Sequence, residues 1–168
     1  TWFESGAGFD GHIDGEGHIV YGLWYSDKSE NESSGLIPAF MSGTIKNLGV
    51  RNAQVVAKQN AAGIVGKTVS GGDKFISNCF VDETVFVSTS NVESSTGGIV
   101  GMAYDTTNGE TVTLLIQNCY SKARLSGVFE YRKNGILGGS WRTPYAIKNC
   151  YSVGYPVLTT VGSAEVTS

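Results

Sequence analysis

The apolar positions of this 168-residue chain do not recur at helical spacing. They recur as phrases. One phrase is written four times: Ile45-Lys46-Asn47-Leu48, Ile76-Ser77-Asn78-Cys79, Ile116-Gln117-Asn118-Cys119 and Ile147-Lys148-Asn149-Cys150. A second phrase precedes each copy: Gly35-Leu36-Ile37, Gly63-Ile64-Val65-Gly66, Gly98-Ile99-Val100-Gly101 and Gly135-Ile136-Leu137-Gly138. The asparagines at 47, 78, 118 and 149 lie 31, 40 and 31 residues apart, so the phrases are constant while the spacers vary. Linked motifs in fixed order predict stacked walls, and variable spacers predict loops. The walls are rich in Ile, Val, Thr, Tyr and Phe, bracketed by Gly, Asn and Ser, which is strand composition with turn punctuation. The predicted fold is all-β, a right-handed parallel β-helix (solenoid) of about four rungs. Each rung is expected to pair in register with the next, about 4.8 Å away.

Aligning the copies yields columns. Ile45, Ile76, Ile116 and Ile147 are expected to point inward, and Lys46, Ser77, Gln117 and Lys148 outward. Asn47, Asn78, Asn118 and Asn149 fall at a bend, where Asn tolerates the left-handed conformation and stacked amides can bond along the column. The next column, Leu48, Cys79, Cys119 and Cys150, is expected to turn inward again. Three cysteines cannot complete a disulfide framework, and a leucine in the same column favours buried free thiols.

Residues 1–34 differ from the repeats and are expected to form a β-rich N-terminal cap, with 35–168 as the repeats of one domain. Aromatic residues are dense in that cap, among them Trp2, Phe3, Phe9, Tyr21, Trp24 and Tyr25, and a polar loop closes it. Glycine makes up 23 of 168 residues, about twice the usual share. Charged residues are only 16% and the net charge is −3 with Lys and Arg unclustered, so a nucleic-acid footprint is absent. No stretch approaches the ~20 apolar residues of a membrane-spanning helix. The chain opens at Thr1 and ends soon after the strand-like stretch 155–161. The expectation is a piece of a larger chain, extracellular or on a cell surface.

The paired phrases resemble the GLUG repeats of large bacterial surface proteins, with Ile in the Leu place. The Asn-Cys-Tyr-Ser tails at 118–121 and 149–152 match as well, and so does the leader Phe9-Asp10-Gly11 with Gly15-Glu16-Gly17-His18-Ile19. The resemblance covers nearly the whole chain and implies an adhesin-type or glycan-associated surface module. The first copy departs from it, with Pro38 in the second glycine's place, and the spacer 102–115 is long.

Catalysis has little support in the residues. Glycoside hydrolysis needs two carboxyl groups facing each other across a defined gap. Here the column holding Asp82 reads Arg51, Asp82, Lys122, Val153, and the column holding Glu83 reads Asn52, Glu83, Ala123, Gly154. No acidic pair recurs, and the first column reads as a charge-alternating solvated face. His12 and His18 with Asp14 and Glu16 do not match a zinc pattern, and a tight turn is the simpler reading. Asp105, Asn108 and Glu110 lack the spacing of a known calcium loop. No cofactor or metal is expected.

The column six residues past the leading glycine reads Met41, Val69, Tyr104, Trp141, followed by Ser42, Ser70, Asp105, Arg142. If the register holds, Tyr104 and Trp141 sit on adjacent rungs flanked by Asp105 and Arg142. That is a sugar-stacking surface with a possible ion pair; the alternative is an ordinary inward column. Trp24 and Tyr25 offer a second aromatic patch. The expected function is non-catalytic binding or adhesion, with a glycan or a host or bacterial surface protein as partner. The alternatives are a passive spacer and a polysaccharide-active enzyme.

Overall fold

The computed structural model describes residues 8–26, 33–105, 113–127, 132–154 and the strand Ala164–Thr167. Trp2, Phe3, Asn108, Glu110 and the stretch 155–161 lie outside the described residues. Among the described residues the structure is all-β and solenoid-like, with four sheets and no α-helix. Every pairing recorded between strands is parallel, and each joins a strand to its equivalent one repeat away.

The first sheet carries the Ile-x-Asn phrase. Ile13, Ile45, Ile76, Ile116, Ile147 and Val166 pair in one register. The four isoleucines of the phrase are fully buried, as the pattern predicted. The ten-residue strand Ile37–Lys46 is the joint of this sheet. Its first part pairs with Val65–Thr68, and its last part with Lys74–Ser77. Later repeats split it in two, as Val100–Tyr104 then Leu114–Gln117, and Leu137–Trp141 then Tyr145–Lys148. The second sheet stacks Ile19–Tyr21, Gly49–Arg51, Phe80–Val81, Tyr120–Ser121 and Tyr151–Ser152. The third stacks Trp24–Ser26, Gln54–Ala57, Phe86–Thr89 and Arg124–Ser126; the fourth Ser33–Ser34, Asn60–Ala62, Ser95–Gly97 and Lys133–Asn134. The described part of residues 1–34, expected as the cap, thus supplies one strand to each sheet.

The asparagine bend is built as its chemistry requires. Asn47, Asn78, Asn118 and Asn149 all hold φ between 50 and 56°, the left-handed region that Asn visits more readily than other side chains. Asn78 Nδ2 donates to Asn47 Oδ1 at 3.0 Å, and Asn149 Nδ2 donates to Asn118 Oδ1 at 3.3 Å. Asp14 terminates the ladder. Its Oδ1 accepts from Asn47 Nδ2 and from the Glu16 backbone N–H, both at 3.0 Å, and its Oδ2 pairs with Lys46 Nζ at 3.0 Å.

The bend returns the next residue to the interior, so Leu48, Cys79 and Cys119 are buried. Cys150 is only half-buried, in contrast to the expectation of three buried thiols. All three are free. Hydrogen bonding with Cys150 and Cys79, together with burial, pushes the Cys119 thiol up. The hydrogen bond with Cys119 pulls the Cys150 thiol down.

The paired glycines have a steric cause. A Cβ on Gly66 would lie 2.7 Å from the Pro38 carbonyl oxygen, and one on Gly138 would lie 2.5 Å from the Gly101 carbonyl oxygen. The second glycine of each pair therefore makes room for the preceding repeat. The first makes room for the following one, as a Cβ on Gly63 would sit 3.0 Å from the Gly98 carbonyl oxygen. Pro38 fits the same rule. Its part of the strand Ile37–Lys46 pairs on one side only, with Val65–Thr68, because the pairing to Phe9–Asp14 begins at Phe40, so no preceding repeat among the described residues crowds it. A strand edge is also where a missing N–H costs least.

Gly138→Ala, whose Cβ meets only backbone, should lose about 1–3 kcal/mol in urea denaturation, the usual cost of overpacking; an unchanged midpoint contradicts the packing. Asp14, held down to about 2 from 3.8 by Asn47, Glu16 and Lys46, carries a depressed folded pKa. Its contribution is present above about pH 4 and disappears as pH falls toward about 2. Asp14→Asn should therefore flatten the loss of stability over that range, and equal acid sensitivity of the two proteins counts against it. A thiol reagent should label Cys150 first and reach Cys79 and Cys119 only on unfolding; equal native rates for all three contradict the burial.

Candidate functional site

The strand Val100–Tyr104 pairs with Leu137–Trp141 so that Tyr104 lies beside Trp141. Both side chains face out, at 38% and 48% exposure, so this end of the column is surface and not core. The column continues to Met41 and Val69, which are half-buried. Gly71 and Gly8 press against those two, each so closely that an added Cβ would collide with the side chain. Among the described residues no glycine covers Tyr104 or Trp141 in this way.

Two local devices hold the aromatic pair. The Thr68 hydroxyl accepts from the Tyr104 N–H at 2.9 Å and lies 3.2 Å from the Tyr104 carbonyl, to which it donates. Beyond Trp141 the chain turns at Arg142, whose φ is 54°. Strand alternation would send Arg142 inward; the left-handed backbone keeps it outside beside Trp141. Its guanidinium carbon stands 5.8 Å from the indole centroid, within the ~6 Å range of a cation–π contact. The turn is closed by Thr143 Oγ1 donating to the Trp141 carbonyl at 3.2 Å and by Ser140 Oγ donating to the Thr143 carbonyl at 3.1 Å.

Asp105 departs from the sequence reading. It is 1% exposed, and no ion pair between it and Arg142 is recorded among the described residues. Alternation continues past Tyr104 and turns Asp105 under the surface, with its N–H donating to the Trp141 carbonyl at 3.4 Å. Its charge acts on Lys74, which is also buried. Burial lowers the Lys74 pKa, and Asp105 and Asp73 oppose that shift. Lys74 Nζ donates to the Gly72 carbonyl at 2.8 Å. Asp105 thus underpins the aromatic face and is not a flank of it.

Trp24 and Tyr25 do not form one patch. Consecutive strand residues point to opposite faces. Trp24 is 71% exposed. Tyr25 points the other way and lines an open apolar cavity of about 690 Å³ at the first repeat, with Phe9, Ile13, Leu23 and Leu36.

In the Asp82 column Lys122 and Val153 are exposed, as a solvated face requires, and only Asp82 itself departs from that reading. Asp82 is buried and held by Arg51 Nε at 2.9 Å, by the Thr84 hydroxyl at 2.5 Å and by the Thr84 N–H at 3.0 Å. Around His12 and His18, Asp14 is engaged by its turn and by the ladder. Among the described residues no group of three His, Cys, Asp or Glu side chains is placed to hold a metal ion.

An aromatic stack that the repeat phrases had not pointed to runs along the second sheet. Phe80, Tyr120 and Tyr151 pair in register on the second sheet, with centroids 5.1 and 5.3 Å apart and planes within 9° and 10°. Arg51 lies over Phe80 at 5.4 Å. The signal was available: these are the residues just after the cysteines. Gly49 takes the same place in the first copy, where a Cβ would run into the Phe80 ring.

Comparison with known proteins finds no matching family model, no matching curated protein and no matching solved structure.

Proposed function

We propose that the chain is a non-catalytic, glycan-binding adhesion module of a bacterial cell-surface or secreted protein, and part of a longer polypeptide. In this reading the parallel sheets are the walls of a right-handed parallel β-helix of about four rungs, since parallel crossovers favour that hand. The resemblance to GLUG repeats supports the surface context. The observation that carries the reading is the exposed, in-register pair Tyr104 and Trp141, with Arg142 over the indole. Aromatic faces on neighbouring strands offer an apolar platform to sugar rings, and the guanidinium offers fixed donors at its rim.

A passive spacer is the second reading. The regular stacking of equivalent strands, repeat upon repeat, favours it. A glycan array separates the two. Trp141→Ala should weaken binding of a positive glycan more than tenfold, consistent with ~2 kcal/mol or more for a hot-spot aromatic. Because Trp141 is exposed, its circular dichroism and melting temperature should stay near those of the parent. An array with no positive glycan, or binding that survives the substitution, sinks this assignment and favours the spacer.

A further inference from the structure

We infer a second binding site, on the outer face of the third sheet, that takes an acidic oligosaccharide of more than one ring. The site lies on a different wall from Tyr104 and Trp141. It shares with the proposed function only the premise that the chain binds sugars.

In-register pairing aligns Trp24, Gln54, Phe86 and Arg124 on four successive strands. They border a groove of about 280 Å³ together with Asn52 and Thr84. That is close to the lower end, ~300 Å³, of ordinary small-ligand pockets. Trp24 is the most exposed large apolar side chain among the described residues, at 71%. Gly22, at φ 72° with nothing within 4 Å of a would-be Cβ, leaves the space beside it open.

The chemistry of the groove is divided along its length. Trp24 and Phe86 stand two strands apart, about 10 Å at the usual strand spacing. One ring cannot lie on both, so a ligand that uses both aromatics must be a chain. Between them, Gln54 presents an amide. Asn52, held outward at φ 48°, presents another. The Thr84 hydroxyl is already committed, accepting the Asn52 N–H at 2.6 Å and donating to Asp82 at 2.5 Å. The two amides therefore remain to meet hydroxyl groups, since each can donate and accept.

Arg124 sets the charge. It is exposed at the far end of the column, and among the described residues no carboxylate forms an ion pair with it. Among the described residues no carboxylate borders the groove either. A guanidinium matches a carboxylate through two parallel hydrogen bonds. The ligand that satisfies aromatic, amide and guanidinium in this order is a sugar chain bearing carboxylates, of the uronate type.

Titration calorimetry with tetragalacturonate, and with its fully methyl-esterified form as the uncharged control, tests the site. The parent should bind the acid at least tenfold more tightly than the ester. Trp24→Ala and Arg124→Gln should each weaken acid binding at least tenfold, and Arg124→Gln should abolish the preference over the ester. Trp141→Ala should leave acid binding unchanged. Trp24 and Arg124 are exposed, so melting temperatures near that of the parent confirm that the variants fold. The site is overturned if the parent does not bind tetragalacturonate, if the ester binds equally well, or if Trp24→Ala and Arg124→Gln bind like the parent. Binding lost in Trp141→Ala but kept in Trp24→Ala would place the acidic ligand on the other face. Array-positive glycans that depend on Trp141 would still support the proposed function if this site failed.

Discussion

Each strand of this protein hydrogen-bonds to its own equivalent one repeat away, and the remaining features follow from that demand. Parallel in-register stacking brings equivalent residues to within about 4.8 Å of each other. Any residue type poorly suited to meeting its own kind is costly there. Isoleucine suits the buried column because its branched face packs on itself. Asparagine suits the bend because it accepts the left-handed backbone, at φ near 53°, and its amide can bond a neighbouring amide. Glycine is required where successive turns of backbone meet without space for a Cβ. Pro38 replaces it only where the strand Ile37–Lys46 pairs on one side, with no preceding neighbour among the described residues.

The same demand shapes the outer surface. A column that is buried on one wall has a counterpart that is exposed, and the exposed columns become ladders. Three of them carry aromatic rings: Tyr104 with Trp141, the stack of Phe80, Tyr120 and Tyr151, and Trp24 with Phe86. They differ in what surrounds the rings. In the Phe80 stack the rings of Phe80, Tyr120 and Tyr151 lie face on face, so most of their faces meet each other, while Tyr151 at the end stays exposed. Tyr104 and Trp141 stand exposed on a surface backed by the buried Lys74 and Asp105. Burial lowers the Lys74 pKa and the Asp105 charge opposes that shift, so the ground beneath the exposed pair is polar.

The column structure was legible in the sequence because repetition is a direct record of stacking. Four copies of Ile-x-Asn give register, bend and inward face together. The pairing of Tyr104 with Trp141 was readable by the same counting. What counting could not supply is the direction of individual side chains near irregular backbone. Arg142 faces out because its φ is positive, and Asp105 turns in because the strand alternation runs on past Tyr104. Tyr25 points inward from a strand that shows Trp24 to solvent.

The sequence by itself determined which residues share a column, since equal places in a repeat must become neighbours once the repeats stack. The tertiary structure decided which columns are surfaces. That depends on how the linkers between phrases fold over the walls, as Gly8 and Gly71 do over Val69 and Met41. It depends also on which side of a sheet faces the interior, and Gln54, Phe86 and Arg124 became one groove with Trp24 only when four strands closed a common outer face. These are matters of long-range closure. A local phrase holds no information about them, because the atoms that cover or expose it belong to other repeats.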